Sequence, residues 1–322
     1  DEDFKDLKGQ DNLKRGLEIV AAGCHNIIMV GPPGSGKTMA AKRLSSILPR
    51  LTFEEAMEVT KIYSIAGLLK DNKGLITQRP FRSPHHTSSM VAITGGGRVP
   101  KPGEVSLSHY GVLFLDELPE FNKNALEVLR QPLEEGFVTI SRANGTCTYP
   151  AKFMLVCAMN PCPCGYYGSE SADHRCSCTP YQVSRYNGKI SGPLLDRMDI
   201  VIETVAVSYS DLTSNKSTEG SKEIRQRVER ARQRQLERYK GTRFTFNSQL
   251  TSSAVKKYCK LDIKSQQLLS DAYEKMKLSA RAYNRVIKIA RTIADLDGSD
   301  TIGIEHLAEA IQYRRTSNLL GR

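Results

Sequence analysis

The sequence predicts an α/β protein: a core built on a parallel sheet, followed by a helical C-terminal domain. Three stretches carry that prediction. The apolar run Ile27–Val30 leads into GPPGSGKT at 31–38, a second apolar run at 111–115 ends abruptly in Asp116 and Glu117, and residues beyond 222 have helical period throughout. Strand, glycine-rich loop and helix, in that order, are the context that a phosphate-binding loop requires.

Residues 4–20 repeat apolar side chains at helical spacing, with Leu7, Leu13, Leu17 and Val20 as the buried stripe and Gly9 and Gln10 as a hinge. In 31–38 the glycines let backbone N–H groups converge on an anion, and the helix beginning near Lys37 points its positive end at the same spot. Pro33, Gly34, Ser35 and Gly36 form the cradle, Lys37 reaches the β- and γ-phosphates, and the Thr38 hydroxyl ligates the accompanying Mg2+. Helices are expected over 39–48, ended by Pro49, and over Phe53–Ile65. Residues 70–103 lose the helical period and are rich in Gly, Pro, Ser and His, so they are expected to form a long inserted loop or hairpin. His85 and His86 stand in that insert as solvated loop residues, with no acidic or cysteine neighbour in sequence to make them metal ligands.

The run 111–115 reads as a buried parallel strand, and ligands bind at the C-terminal edge of such sheets. Asp116 is then placed to hold Mg2+ and Glu117 to polarise the water that attacks the γ-phosphate. A helix is expected over 122–135 and a hairpin over 138–156, turning at Asn144 and Gly145, with Arg142 near its tip and Lys152 on its flank. The strand over 153–159 ends at Asn160, whose amide can orient the attacking water or touch the γ-phosphate.

Cys162, Cys164, Cys176 and Cys178 form two Cys-x-Cys pairs around the polar loop at 165–175, a set suited to a tetrahedral zinc ion, with His174 as a spare ligand. Reactive or disulfide-forming thiols are the alternative. Cys24, Cys147, Cys157 and Cys259 are scattered. A last apolar strand closes 190–202, with Arg197 between Asp196 and Asp199, where a surface ion pair is the plain reading. The expected organisation is a core at 1–206 carrying the insert at 70–103, the hairpin and a zinc-binding insert at 162–178, then a small-residue linker at 207–221 and a helical lid domain at 222–322. Residues 222–243 carry nine Lys or Arg against three Glu, either a solvated face or a binding strip.

The 322 residues are 39% hydrophobic and 25% charged, ordinary for a globular protein, and no apolar run approaches the roughly 18 residues of a membrane helix. A membrane protein is not expected. Lys and Arg outnumber Asp and Glu by 46 to 35, for a net charge of +11, which favours an acidic partner, ribosomal or membrane-surface contacts explaining it equally well. Four of the eight cysteines lie in one metal-like cluster and no secretory signal is visible, so a cytoplasmic protein is expected. The polar start, DEDFKDLKGQ, suggests a segment of a longer chain.

Phosphate loop, acidic strand tip, Asn160, Arg197 and helical C-terminal domain, in this order, resemble the AAA+ ATPases. GPPGSGKT, RPFRSPHH, PGEVSLSHYGVLFLDELPEF, NPCPCGYYG and LLDRMDI together are similar to the ComM (YifB) family of magnesium-chelatase-like ATPases, along essentially the whole chain. The resemblance implies ATP as the nucleotide, a homo-oligomeric ring, usually a hexamer, Arg197 as an arginine finger, and Arg281 in LSARAYNR as a second sensor, with Arg285 the weaker candidate. It implies a motor on single-stranded or branched DNA that promotes branch migration in natural transformation, and an N-terminal Lon-protease-like domain outside this segment. A protein-remodelling ATPase, like the magnesium chelatase motor or a protease-linked unfoldase, is the first alternative. A nucleotide-controlled binding module without motor action is the second.

Overall fold

Apolar runs bounded by polar tips become strands. In the computed structural model, which describes residues 2–70, 74–169, 171–315 and 320, the strands in chain order are β1 (Ile27–Val30), β2 (Phe81–Arg82), β3 (Gly95–Gly96), β4 (Lys101–Pro102), β5 (Val112–Leu115), β6 (Phe137–Arg142), β7 (Gly145–Pro150), β8 (Met154–Met159) and β9 (Ile200–Glu203). The chain divides into two compact units, Asp1–Pro49 with Met198–Arg322, and Arg50–Arg197. Both contain parallel strands, giving the α/β AAA+ core, and the first also contains the C-terminal helices.

In the first unit β1 pairs parallel with β9, from Ile27 beside Ile200 to Val30 beside Glu203. The helix Asp11–Gly23 packs on this pair through Leu13, Leu17 and Val20, all fully buried. Gly16 makes the approach possible, because a Cβ there would lie 2.0 Å from Ile202 Cδ1. The helix after the phosphate loop starts at Lys37, where its positive end was expected, and tightens into a 3-10 turn at Leu44–Ser46. The expected linker at 207–221 is not featureless: Ser208 caps a short helix, Tyr209–Thr213, and Ser221 already begins the next one.

That next helix, Ser221–Arg238, uses part of the basic strip for internal pairing. Arg227 pairs with Glu18 and Glu219, Arg234 with Asp300, and Arg238 with Asp295. Arg232 is buried, donating to the Thr245 carbonyl and lying 3.8 Å over the Phe246 ring. These four arginines hold the helical region together, while Lys222, Arg230, Lys240 and Arg243 of the same strip are exposed. Asp295, fully buried on the helix Ala280–Leu296, meets Arg238 and Arg234 and also accepts from Arg291 and Asn247.

In the second unit β5 lies between β2 and β8, all parallel. The helix Phe53–Ile65 has the expected bounds because Thr52 and Glu55 make a reciprocal capping box, worth about 1 kcal/mol. The insert at 70–103, of which 71–73 lie outside the described residues, is more structured than expected. It supplies β2, a short helix Met90–Thr94 capped by Ser89, and the antiparallel ribbon β3–β4. The helix expected over 122–135 is two helices, Lys123–Glu127 and Arg130–Glu135. Pro132 has no N–H to offer the Val128 carbonyl and its ring crowds that carbonyl, so the chain breaks at 128–129.

The hairpin also differs from expectation. It is β6–β7, ending at Pro150, with Arg142 beside Gly145 across a turn at Ala143 and Asn144. Residues 154–156 belong to β8 in the parallel sheet. Lys152 is therefore not in the hairpin; it lies in the connector, its N–H donating to His109 Nδ1 and its stem resting on Gly136. Apolar residues keep alternating past the end of β7, at Ala151 and Phe153, before the unbroken apolar run of β8 begins, so alternation alone does not mark the crossing from one sheet to the other.

Candidate active site

The phosphate loop hangs between a wholly buried strand and a helix. Gly34 and Gly36 take φ values of +75° and +86°, the left-handed region that glycine enters without strain. Gly31 answers a different need: a Cβ there would stand 1.9 Å from Thr204 Oγ1. Lys37 is buried, its ammonium donating to the carbonyls of Gly31 (2.7 Å) and Pro32 (2.9 Å), with Ser35 Oγ 3.4 Å away. Ser35 Oγ is 2.7 Å from Thr204 Oγ1. Gln10, expected to be part of a hinge, is a buried clamp instead. Its amide donates to the Ser35 carbonyl at 2.9 Å and the Val205 carbonyl at 2.8 Å, tying the loop to the exit of β9. Only tertiary pairing reveals this, since Gln10 has no motif around it.

The first unit also separates the two lid arginines. Arg281 is exposed at the start of its helix. Arg285 is buried, 3.8 Å from Asp199, which also accepts from the Asn26 N–H and lies 3.5 Å from His25 Nδ1. Burial opposes the Asp199 charge, yet its bond to His25 and the charges of Lys288 and Arg285 hold it well below the usual carboxylate range. Asp199 thus serves as a structural anchor for His25, Asn26 and Arg285.

In the second unit β5 ends at Leu115 and delivers half-buried Asp116 and exposed Glu117 to the strand tip. Asp116 Oδ1 accepts the Glu117 N–H at 2.9 Å, and Glu117 sits in the left-handed region at φ +51°. On the neighbouring β8, Asn160 follows the last strand residue. Tyr186, on the helix Pro180–Asn187, bonds to the Asn160 backbone; burial and then the charge of Glu120 push its phenol up to about 12. Tyr186 therefore stays a neutral phenol and links the helix after the cysteine loop to the Asn160 tip. Sequence reading missed it. Arg197 pairs with Glu134 at 2.9 Å, an acid 63 residues away in sequence.

The four thiols of Cys162, Cys164, Cys176 and Cys178 come together with all sulfurs within 4.8 Å of one another. Cys162 Sγ lies 3.3 Å from Cys164 Sγ and 3.8 Å from Cys176 Sγ, and the latter two are 3.6 Å apart. A tetrahedral zinc with bonds of about 2.3 Å needs sulfurs about 3.8 Å apart, so the donor set fits. Backbone N–H groups of Gly165 and Tyr167 donate to Cys162 Sγ, each at 3.3 Å, as suits a thiolate. Slight burial raises the Cys164 thiol, but N–H groups of Tyr166 and Ser177 bring it down to about 6. His174 is not among the cluster; it stacks on Tyr166 with centroids 4.6 Å apart. Glu170 of this loop lies outside the described residues.

The hairpin does not stand alone. Tyr149 Oη donates to the Pro100 carbonyl at 2.9 Å, and Ile140 Cδ1 and Arg142 Nη2 crowd the positions where Gly95 and Gly96 would carry Cβ atoms. The ribbon β3–β4 and the hairpin β6–β7 are thus packed as one projection, with Arg142 exposed on it.

Phosphate loop, acidic strand tip and helical lid define the class: an AAA+ P-loop protein. The chain matches the family described as magnesium chelatase, subunit ChlI, over residues 3–212, and the corresponding C-terminal family over residues 218–314. It is 46% identical over 319 residues to YifB of Escherichia coli, and 46% identical over 321 residues to competence protein ComM of Haemophilus influenzae, covering 99% of this chain in both cases. A magnesium-chelatase 67 kDa subunit of Chlorobaculum tepidum is 26% identical over 162 residues, 49% of this chain and 23% of that protein. The chain belongs to the ComM (YifB) family of magnesium-chelatase-like AAA+ proteins, and spans 61% of the length of the YifB and ComM relatives. Among the described residues no helix is long and apolar enough to cross a membrane.

Proposed function

We propose that this chain is the motor segment of an ATP-hydrolysing ring acting on DNA, in the manner of a branch-migration helicase that serves natural transformation. The observation that carries the proposal is the phosphate loop with its buried, carbonyl-held Lys37, in a chain related along its length to a competence protein. Pro33, Gly34, Ser35 and Gly36 cradle the phosphates, Lys37 contacts the β- and γ-phosphates, and Asn160 orients the attacking water. Glu117 takes the proton from that water as the γ-phosphoryl group transfers to it. Thr38 and Asp116 offer the hard oxygens that Mg2+ prefers, and the ion neutralises phosphate charge when bound. Arg281 and Arg197 supply further positive charge, Arg197 to a neighbouring subunit of a hexameric ring. The test is the steady-state ATPase rate with single-stranded, double-stranded and forked DNA. Stimulation by DNA is expected; stimulation by a protein partner alone, as for a chelatase motor, would replace this reading with protein remodelling.

Arg142, on the packed hairpin and ribbon, is proposed to contact the DNA backbone, with Lys152 in a lesser role from the connector. Arg142→Ala is expected to weaken binding equally for unrelated sequences, because phosphate contacts carry no sequence information. The slope of log affinity against log salt should flatten by about 0.7 to 0.9, one phosphate contact, and DNA-stimulated turnover should fall more than unstimulated turnover. Titrations over a salt series that leave affinity and slope unchanged would remove Arg142 from the DNA path.

The four thiolates are proposed to hold one structural zinc. Elemental analysis of protein purified without chelator is expected to give one zinc per chain. A strong chelator should release it and loosen 162–178, since metal binding and local folding are coupled at such sites. Cys162→Ser is expected to destabilise the segment most, because that sulfur is buried and accepts two backbone N–H bonds. Metal-free protein with an intact loop would overturn the assignment.

A further inference from the structure

Glu117 must face the attacking water, and little in its own surroundings fixes it there. Its side chain is 67% exposed and its backbone is in the left-handed region, so packing does not select a rotamer. His86 is the opposite case. β2 and β5 run parallel with Arg82 beside Leu113; His86 follows Arg82 by four residues, as Glu117 follows Leu113 by four. Equal extension past the paired strands brings both side chains to one sheet edge, where His86 Nε2 stands 3.9 Å from Glu117 Oε2.

The His86 ring is held on two sides. His85 lies against it, the rings tilted by 33° with centroids 4.2 Å apart, and is itself anchored, its Nδ1 lying 2.8 Å from Thr87 Oγ1 and accepting the Thr87 N–H at 3.3 Å. Phe121, a buried residue just past Glu117, meets His86 edge-on at 6.4 Å. A ring held by two neighbours, beside a carboxylate for which no other side-chain partner is seen among the described residues, is more than a solvated loop histidine.

We propose that His86 is a positioning residue for Glu117, its ring N–H orienting the carboxylate towards the attacking water. The proposal rests on the reading of Glu117 as the base of ATP hydrolysis. At 3.9 Å the pair is beyond hydrogen-bond length. Contacts between catalytic groups are commonly long before the reacting complex forms and tighten within it, and the exposed Glu117 side chain has room to close this one.

The test compares His86→Ala, His86→Gln, Glu117→Gln and the His86→Ala/Glu117→Gln double variant in the full chain. His86→Ala is expected to lower kcat about 10- to 100-fold, the scale of a misplaced reacting group, with KM for ATP and affinity for a non-hydrolysable ATP analogue unchanged. His86→Gln, which keeps an N–H donor at similar reach, should recover most of the rate. In the Glu117→Gln background His86→Ala should cost nothing further, because no base remains to be oriented. Unchanged kcat in His86→Ala, or a loss that multiplies with that of Glu117→Gln, overturns the proposal. So does a loss that follows Tm and is not rescued by Gln, the pattern of a loop that merely unfolds. If Glu117→Gln itself turns over at the unmodified rate, the reading of Glu117 fails independently of His86.

Discussion

Lys37→Ala is expected to abolish useful ATP binding, whereas Glu117→Gln should keep binding and lose most turnover. Lys37 is already desolvated and held by the Gly31 and Pro32 carbonyls, so its charge is preorganised for phosphate and costs little to turn onto it. Removing it deletes the phosphate contact and leaves two loop carbonyls without their donor. Glu117→Gln changes neither size nor the strand tip; it deletes only the capacity to accept a proton, worth about 10²- to 10⁴-fold in rate. Calorimetric titration with ATP, beside steady-state phosphate release, separates the two. Equal loss of binding in both variants would refute the division of roles.

How much of this was legible beforehand depends on the range of the interaction. The phosphate loop, the acidic tip of β5 and the helix Phe53–Ile65 are written locally, in glycine spacing, an apolar run and a Thr-x-x-Glu cap, and the structure places them where the sequence does. The four cysteines were legible for the same reason, as short-range pairs. What failed was non-local. The hairpin was drawn six residues too long because alternation persists past β7 to Phe153, up to the unbroken apolar run of β8, while the pairing partner changes. Gln10 and Tyr186 act on backbone far away in sequence, so no spacing announces them. His86 needed the parallel register of β2 and β5, and a two-residue strand inside a glycine- and proline-rich insert gives no periodic signal. Pro132 is the exception: its break in the helix over 122–135 was readable from the residue alone.

Arg197→Ala is expected to leave ATP binding nearly intact and lower hydrolysis about 10³-fold, the scale on which an arginine finger acts. Within this chain the Arg197 guanidinium rests on Glu134, and Arg197 and Arg130 together outweigh slight burial to hold that carboxyl below its ordinary range. Both partners are about one-third exposed, and pairs of this kind contribute roughly 0 to 1 kcal/mol, too little to keep Arg197 from a more highly charged phosphate. Glu134 would therefore hold Arg197, the proposed finger, without disabling it. If Arg197 acts on the nucleotide of a neighbouring subunit, mixing Arg197→Ala with Glu117→Gln should rescue activity, since some interfaces of a mixed ring then join an intact Glu117 to an intact Arg197. Mixing ratios followed by ATPase rate, with ring composition checked by mass, give the readout. Absence of any recovery in rings proven to be mixed would confine Arg197 to its own subunit.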